Sequence, residues 1–221
     1  MGERIRAVLF DFDGLILDTE TPDVRAWQTV FERHGHEFPD WCWIQMIGRS
    51  LHTVDIHPLD LLEEMAGGPI DREAVIVERR KIRRSLIEDE KPLPGVCALL
   101  DQVAEAGLRA AIVSSSDRAW IEGHLSRVGL LDRFERIICG FEGLPSKPDP
   151  ALYKAALDQM NLKADEAIAL EDSPNGIAAA TEAGIYTIAI PNGLTARLPL
   201  DRAQSVLASL EGVALAELYP A

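Results

Sequence analysis

Cysteine is scarce in this chain, with Cys42, Cys97 and Cys139 the only three among 221 residues. They are widely spaced, odd in number and never in a CxxC pair. This argues against a zinc site or a disulfide framework and points to reduced, packed thiols. Long apolar runs are missing. No stretch approaches the about 18 residues that a membrane-spanning helix needs. The segment before Asp11 holds Arg4 and Arg6 but is too short in apolar residues for a signal peptide. Positive charge is also in short supply. Lys and Arg total 22 against 36 Asp and Glu, for a net charge of −14. A nucleic-acid binder normally carries a basic face, so that class is disfavoured. An anionic ligand would need local positive groups or a metal ion. Internal repeats and low-complexity tracts are absent as well.

Apolar residues make up 47% of the chain, enough for a sizeable core. Short β-rich runs at Ala7–Phe10, Ala110–Val113, Ile137–Cys139, Ala167–Leu170 and Tyr186–Ile190 have the character of buried parallel strands. Helical patterns lie between them. Val96, Leu99, Leu100 and Val103 fall on one helical face, as do Leu152, Ala155, Ala156 and Met160; Ile177, Ala180 and Gly184 make a weaker stripe. Ser173-Pro174 is a helix start and Gly107 a helix stop. Strand and helix alternate from residue 93 onward, the pattern of an α/β fold with a parallel sheet.

Residues 18 to 90 break that alternation. They read as helices over Val24–His34, roughly Thr53–Ala66, and Arg72–Ile87, followed by a return linker at Lys91-Pro92-Leu93-Pro94-Gly95. The expected organisation is an α/β core from residues 1–17 and 91–221, with a helical domain, 18–90, inserted after the first strand.

Ligands of parallel α/β sheets bind at the carboxyl ends of the strands. Four polar clusters stand at such ends or in the loops after them: Asp11-Phe12-Asp13-Gly14, Ser114-Ser115-Ser116-Asp117, Ser146-Lys147-Pro148-Asp149-Pro150 and Glu171-Asp172-Ser173-Pro174-Asn175-Gly176. Each has an ordinary reading when taken alone. Serines after a strand cap helices, a lone lysine is a surface charge, and acidic residues favour a helix N-terminus. A calcium loop starting at Asp11 fails, because Leu15, Ile16 and Pro22 stand where an oxygen ligand, a glycine and a glutamate are needed. Together the four clusters outline one site.

In this order, D-F-D-G-x-x-x-D-T-E, S-S-S, S-K-P-D-P and E-D-S-P-N-G resemble the haloacid dehalogenase superfamily, and within it the β-phosphoglucomutase-like phosphatases with a helical cap. The likeness covers about residues 3–17 and 92–195. It implies a Rossmann-like core and a phosphatase that needs Mg2+ and works through an aspartyl-phosphate. Asp11 would be nucleophile and metal ligand. Asp13 would be general acid and base, with its backbone carbonyl on the metal. Glu171 and Asp172 would complete the metal site. Ser114, Ser115 and nearby backbone N–H groups would hold the phosphoryl oxygens at a helix N-terminus. Lys147 would neutralise Asp11 and the phosphoryl group. This chemistry accounts for crowded carboxylates, which otherwise repel one another and are costly to desolvate.

Dehalogenases of the superfamily lack the second aspartate, so Asp13 favours phosphoryl chemistry. Phosphonatases need a Schiff-base lysine in the cap, where only Lys81 stands. Mutases of the subgroup resemble a pattern with His four residues beyond the Thr and Arg three beyond a cap Gly. Here those positions are Asp23 and Leu51, which favours the phosphatase over the alternative sugar-phosphate mutase. A non-catalytic binding protein is disfavoured because every motif is intact. In the cap, Arg79, Arg80, Arg83 and Arg84 form a basic stripe that reads either as a solvated face or as a source of one substrate contact, with Arg80 the chosen candidate. Arg49 is a second. The five histidines show no ligand spacing. The expectation is a cytoplasmic monomer acting on a small phosphorylated metabolite, with neither nucleic acid nor membrane as partner.

Overall fold

The computed structural model describes residues 5–44, 55–140 and 143–219. The chain divides into two compact units, Met1–Leu17 with Lys91–Ala221, and Asp18–Glu90. It begins with strand β1 (Ala7–Phe10), then runs through helices α1 (Glu20–Arg33), α2 (Asp40–Ile44), α3 (Pro58–Ala66) and α4 (Arg72–Ile87). It returns as α5 (Val96–Glu105), β2 (Arg109–Ser114), α6 (Arg118–Arg127), β3 (Arg136–Cys139), α7 (Ala151–Met160), β4 (Ala167–Glu171), α8 (Pro174–Glu182), β5 (Tyr186–Ala189) and β6 (Ser205–Val206).

The core unit is a six-stranded sheet in the order β3-β2-β1-β4-β5-β6, and every neighbouring pair is parallel. The side-chain alternation of the strands splits its interior into two layers. Val8, Phe10, Ile112, Ile168 and Leu170 pack with Val96, Leu99, Leu100 and Val103 of α5 and Ile121 and Leu125 of α6. Ala7, Leu9, Ala111, Val113, Ala167 and Ala169 pack with Leu152, Tyr153 and Ala156 of α7 and Ala179 and Ala180 of α8. Helices therefore cover both faces, which is why these strands are apolar runs and not alternating ones. After β1 the chain builds outward through β2 and β3 on one side, then crosses to β4, β5 and β6 on the other. The strand order thus reverses beside β1, and the crevice at its carboxyl end is the topological switch point.

The regular elements in the described part of the inserted unit are all helices. Asp18 accepts the Thr21 N–H (2.9 Å), His57 Nδ1 accepts the Leu59 N–H (3.1 Å), and Asp71 accepts the Ala74 N–H (3.0 Å), so α1, α3 and α4 each begin on a side-chain acceptor. Trp27, Phe31 and Phe38 form its aromatic interior.

Some expectations differ in detail. Helix α1 starts at Glu20, four residues before Val24, because Pro22 fits the first turn of a helix. Helix α3 starts at Pro58 behind His57. The short α2 and the two-residue β6 carry too little periodicity to be read in advance. Gly184 lies past the end of α8 with φ +81°, so it terminates the helix and does not extend its apolar face. Cys42 and Cys139 are buried, whereas Cys97 is exposed and not packed as expected. No helix of the described residues is long and apolar enough to cross a membrane.

Candidate active site

The parallel register brings the polar clusters of the core unit together. Phe10 pairs with Leu170 on one side and Ile112 on the other, so the residues that follow β1 and β4 leave the sheet at one level. The Asp11 N–H still donates to the Leu170 carbonyl (3.0 Å). Oxygen atoms of Asp11, Glu171 and Asp172 lie within 4.8 Å of one another, and all three residues are buried.

Lys147 enters this cluster from the loop after β3. Its ammonium donates to Asp11 Oδ1 (2.5 Å), Glu171 Oε1 (2.6 Å) and the Val113 carbonyl (2.7 Å), which uses all three of its protons. Tyr153 of α7 donates its hydroxyl to the same Glu171 oxygen (2.6 Å). Burial alone would lower the Lys147 pKa; the adjacent Asp11 and Glu171 outweigh it and the pKa is raised. Burial pushes the Asp11 carboxyl up from the ordinary 3.8 to about 8; Lys147 pulls it down, and Glu171 and Asp13 add to the rise. Burial and the neighbouring Glu171 likewise raise the Tyr153 phenol. One ammonium does not balance three buried carboxylates. Among the described residues Glu171 Oε2 is buried without a hydrogen-bond partner, so the cluster is short of positive charge and of a donor. Hard oxygen donors in a negative pocket are the ligand set of a divalent cation, and the residues present fit one.

Asp13, two positions from Asp11, has a different setting. It is half-buried. Its Oδ2 accepts from Ser116 Oγ (2.6 Å) and Ser114 Oγ (3.3 Å), and its Oδ1 from the indole N–H of Trp120 (2.9 Å). The Trp120 ring rests edge-on against His124, with centroids 4.1 Å apart. Asp13 is thus held by neutral donors, whereas Asp11 touches a cation.

Two glycines are fixed by the crowding. Gly14 has φ +84°, and a Cβ there would collide with Asp172 Oδ2 and Asn192 Nδ2. A Cβ on Gly176 would collide with the Glu171 carboxylate.

The structure brings Asp11, Lys147, Glu171 and Asp172 into one cluster and places Ser114 against Asp13. Ser115 is half-buried, and its Oγ accepts the Lys147 backbone N–H (3.2 Å). Ser114 ends β2 and does not cap a helix; the cap of α6 is Asp117, which accepts the Trp120 N–H (2.9 Å). Arg49 lies outside the described residues, together with Gly48 and Leu51. The basic stripe of α4 is not uniform. Arg80 and Arg84 are exposed, while Arg79 is buried, pairs with Asp23 of α1 and lies over the Trp27 ring at 4.9 Å. Sequence reasoning passed over Ser116 as a site residue, and Trp120, Tyr153 and Asn192 altogether. Ser116 sat in a flagged cluster. The others are ordinary helix or loop residues whose reach depends on how strands and helices are placed side by side.

The model of the haloacid dehalogenase-like hydrolases matches residues 8–190. YhcW of Bacillus subtilis, whose name says phosphatase without a substrate, is 38% identical over 214 residues, covering 97% of this chain and 96% of its own. The fructose-1-phosphate phosphatase YqaB of Escherichia coli is 28% identical over 191 residues, covering 85% of this chain and 97% of its own. The crystal structure of CbbY from Rhodobacter sphaeroides in complex with phosphate superposes with a TM-score of 0.77 at 24% identity, over 97% of this chain and 99% of that one. The chain belongs to the haloacid dehalogenase-like hydrolase family. It is an enzyme, with phosphatases among its relatives.

Proposed function

We propose that this hydrolase is a magnesium-dependent phosphatase of small phosphorylated metabolites, with sugar phosphates the first class to test, working through an aspartyl-phosphate on Asp11. The observation that carries the reading is the pair of aspartates. Asp11 lies against the Lys147 ammonium at 2.5 Å in a buried cluster, and Asp13 is held two residues away by hydroxyl and indole donors.

Phosphate monoesters hydrolyse very slowly in water. A carboxylate nucleophile divides the reaction into two easier steps. The Asp11 carboxylate attacks phosphorus while the ester bond breaks, and Asp13 gives its proton to the departing oxygen. Asp13 then accepts a proton from water as that water attacks the phosphoryl group, which releases phosphate and restores Asp11. Lys147 offsets the charge of Asp11 and Glu171 throughout, which suits a lysine whose three protons are already engaged. Ser114, Ser115 and the backbone N–H groups that follow β2 hold the phosphoryl oxygens. Asp11, Asp172 and the Asp13 backbone carbonyl would hold the magnesium ion, with Glu171 in support. When bound, the ion neutralises the acidic cluster and the phosphoryl oxygens.

The sugar-phosphate class is supported by YqaB, a relative named for fructose 1-phosphate. The phosphatase is preferred over the mutase because Asp23, in place of the expected histidine, is engaged by Arg79 and Arg83. Release of inorganic phosphate from a panel of phosphorylated sugars, with magnesium and after chelation, tests the reading. Turnover of at least one substrate only with the metal is expected. A full panel without turnover under either condition would sink it.

A further inference from the structure

We propose that Asn192 is a positioning residue that sets the Asp172 carboxylate for the metal ion; this rests on the reading of Asp172 as a ligand. Asn192 stands in the loop after β5, one strand beyond the residues that carry the motifs. Its amide is used at both ends. Oδ1 accepts the backbone N–H groups of Leu194 (2.8 Å) and Thr195 (3.0 Å). Nδ2 donates to Asp172 Oδ2 (2.8 Å) and to the Gly14 carbonyl (3.3 Å). The two N–H donors at one end identify that end as oxygen, so the orientation of the amide follows from its partners. The Asn192 N–H is anchored on Thr195 Oγ1 (2.9 Å), and Thr195 is fully buried.

The loop after β5 is therefore a closed turn that presents one NH2 group to two other loops. That group fixes the rotation of the Asp172 side chain after β4 and the carbonyl of Gly14 after β1. Gly14 follows Asp13, whose backbone carbonyl is assigned to the same ion. The contact is a close interlock, since a Cβ on Gly14 would strike both Asp172 Oδ2 and Asn192 Nδ2. A neutral donor is suited to this task. It orders one carboxylate oxygen without adding a positive charge that would compete with the cation. Partners that orient a ligand in this way are typically worth roughly 10- to 100-fold in metal affinity.

The test is magnesium binding to the metal-depleted full chain, measured by calorimetric titration and by the magnesium-dependent rise in melting temperature. Asn192→Ala should weaken binding roughly 10- to 100-fold. Its kcat should return close to wild type at saturating magnesium, because Asn192 touches no reacting atom. Thr195→Ala loosens the same turn without removing the NH2 group, and should lower the metal-free melting temperature while weakening affinity less than Asn192→Ala does. If Asn192→Ala does not fold, Asn192→Ser decides. Its hydroxyl can still accept within the turn but is too short to reach Asp172, so the same weakening is expected. Wild-type affinity in the folded Asn192 variant, or equal weakening in Thr195→Ala, overturns the proposal. Asp172→Asn separates the two levels. Wild-type affinity there would overturn the ligand reading itself, and the positioning role with it; loss there beside an unchanged Asn192 variant would remove only the positioning role.

Discussion

In the core unit, one ammonium, Lys147, shares a buried cluster with three carboxylates, Asp11, Glu171 and Asp172. In the inserted unit, two guanidinium groups, Arg79 and Arg83, share one carboxylate, Asp23. The two clusters are held differently. Arg79 lies over the face of Trp27, and an aromatic face attracts a cation. Arg79 is thus held inside the unit by Asp23 and by a side chain that also belongs to the aromatic interior. Its cost is two buried donors, Arg79 Nε and Trp27 Nε1, without acceptors among the described residues. In the core cluster Tyr153 and Asn192 donate to Glu171 Oε1 and Asp172 Oδ2, and Glu171 Oε2 has no donor among the described residues. The first arrangement packs a helical unit; the second fits a divalent cation.

The largest effect should come from neutralising the wrong carboxylate. Asp11→Asn keeps the shape and removes the proposed nucleophile, so phosphate release should fall to background while circular dichroism stays unchanged. Asp23→Asn should leave turnover of a small aryl phosphate within a few-fold of wild type. Comparable losses in both variants would erase the distinction between the clusters. Asp13→Ala should rank next. General acid–base help is typically worth about 10²–10⁴-fold, and the loss in the first step should shrink for substrates with good leaving groups. A first-step loss independent of the leaving group would remove Asp13 as the acid of that step.

Much of this division was legible beforehand because it rests on local signals. Buried parallel strands are apolar on both faces, so Ala7–Phe10 and Ala167–Leu170 stand out, and carboxylates directly after them are conspicuous. Their meeting required only that the strands be parallel neighbours. The roles of Ser116, Trp120, Tyr153 and Asn192 were not legible. Trp120 reaches Asp13 across 107 positions and Asn192 reaches Gly14 across 178, and neither distance leaves a periodic trace. The stripe of α4 was ambiguous for a related reason. Helical spacing puts Arg79 and Arg83 on one face, but only the placement of α1 determines that this face meets Asp23.

Arg79→Ala sharpens the comparison from the other side. It removes a buried ion-pair partner and the cation over Trp27, and should lower unfolding stability by roughly 1–3 kcal/mol. With the protein still folded, kcat for a small aryl phosphate should hold. A fall in kcat with no change in melting temperature would place Arg79 in the chemistry and not in the packing.

A smaller but diagnostic effect should appear in the pH dependence of stability without metal. The Asp11 pKa lies near 3.8 when unfolded and is raised to about 8 in the folded, metal-free site, chiefly by burial. Between those values the folded state binds more protons than the unfolded state, so this group's stabilisation is complete at low pH and is lost as pH rises through the folded pKa. Chelated wild type should therefore lose melting temperature from pH 5 to pH 8 more steeply than chelated Asp11→Asn, which lacks the titrating group. Magnesium should flatten the wild-type slope, because the cation takes the place of the proton in offsetting the carboxylates.

The smallest change expected is in substrate choice. Arg80 is exposed on α4, and no ion pair of the described residues involves it. If the inserted unit reads the part of the substrate beyond the phosphate, Arg80→Ala and Arg49→Ala should reorder the kcat/KM values of phosphorylated sugars while sparing a small aryl phosphate. On the proposed reading the phosphoryl group would still be met by Ser114, Ser115 and the metal in these variants. The ranking is the proper observable, since specificity is a ratio of kcat/KM values. For Arg80→Ala a stability effect should be absent, because replacing an exposed surface charge usually changes stability by less than about 0.5 kcal/mol. If every substrate falls by one common factor, neither arginine discriminates between substrates. The contrast between a packing cluster in the insert and the buried acidic cluster in the core would then extend to the exposed face of α4 as well.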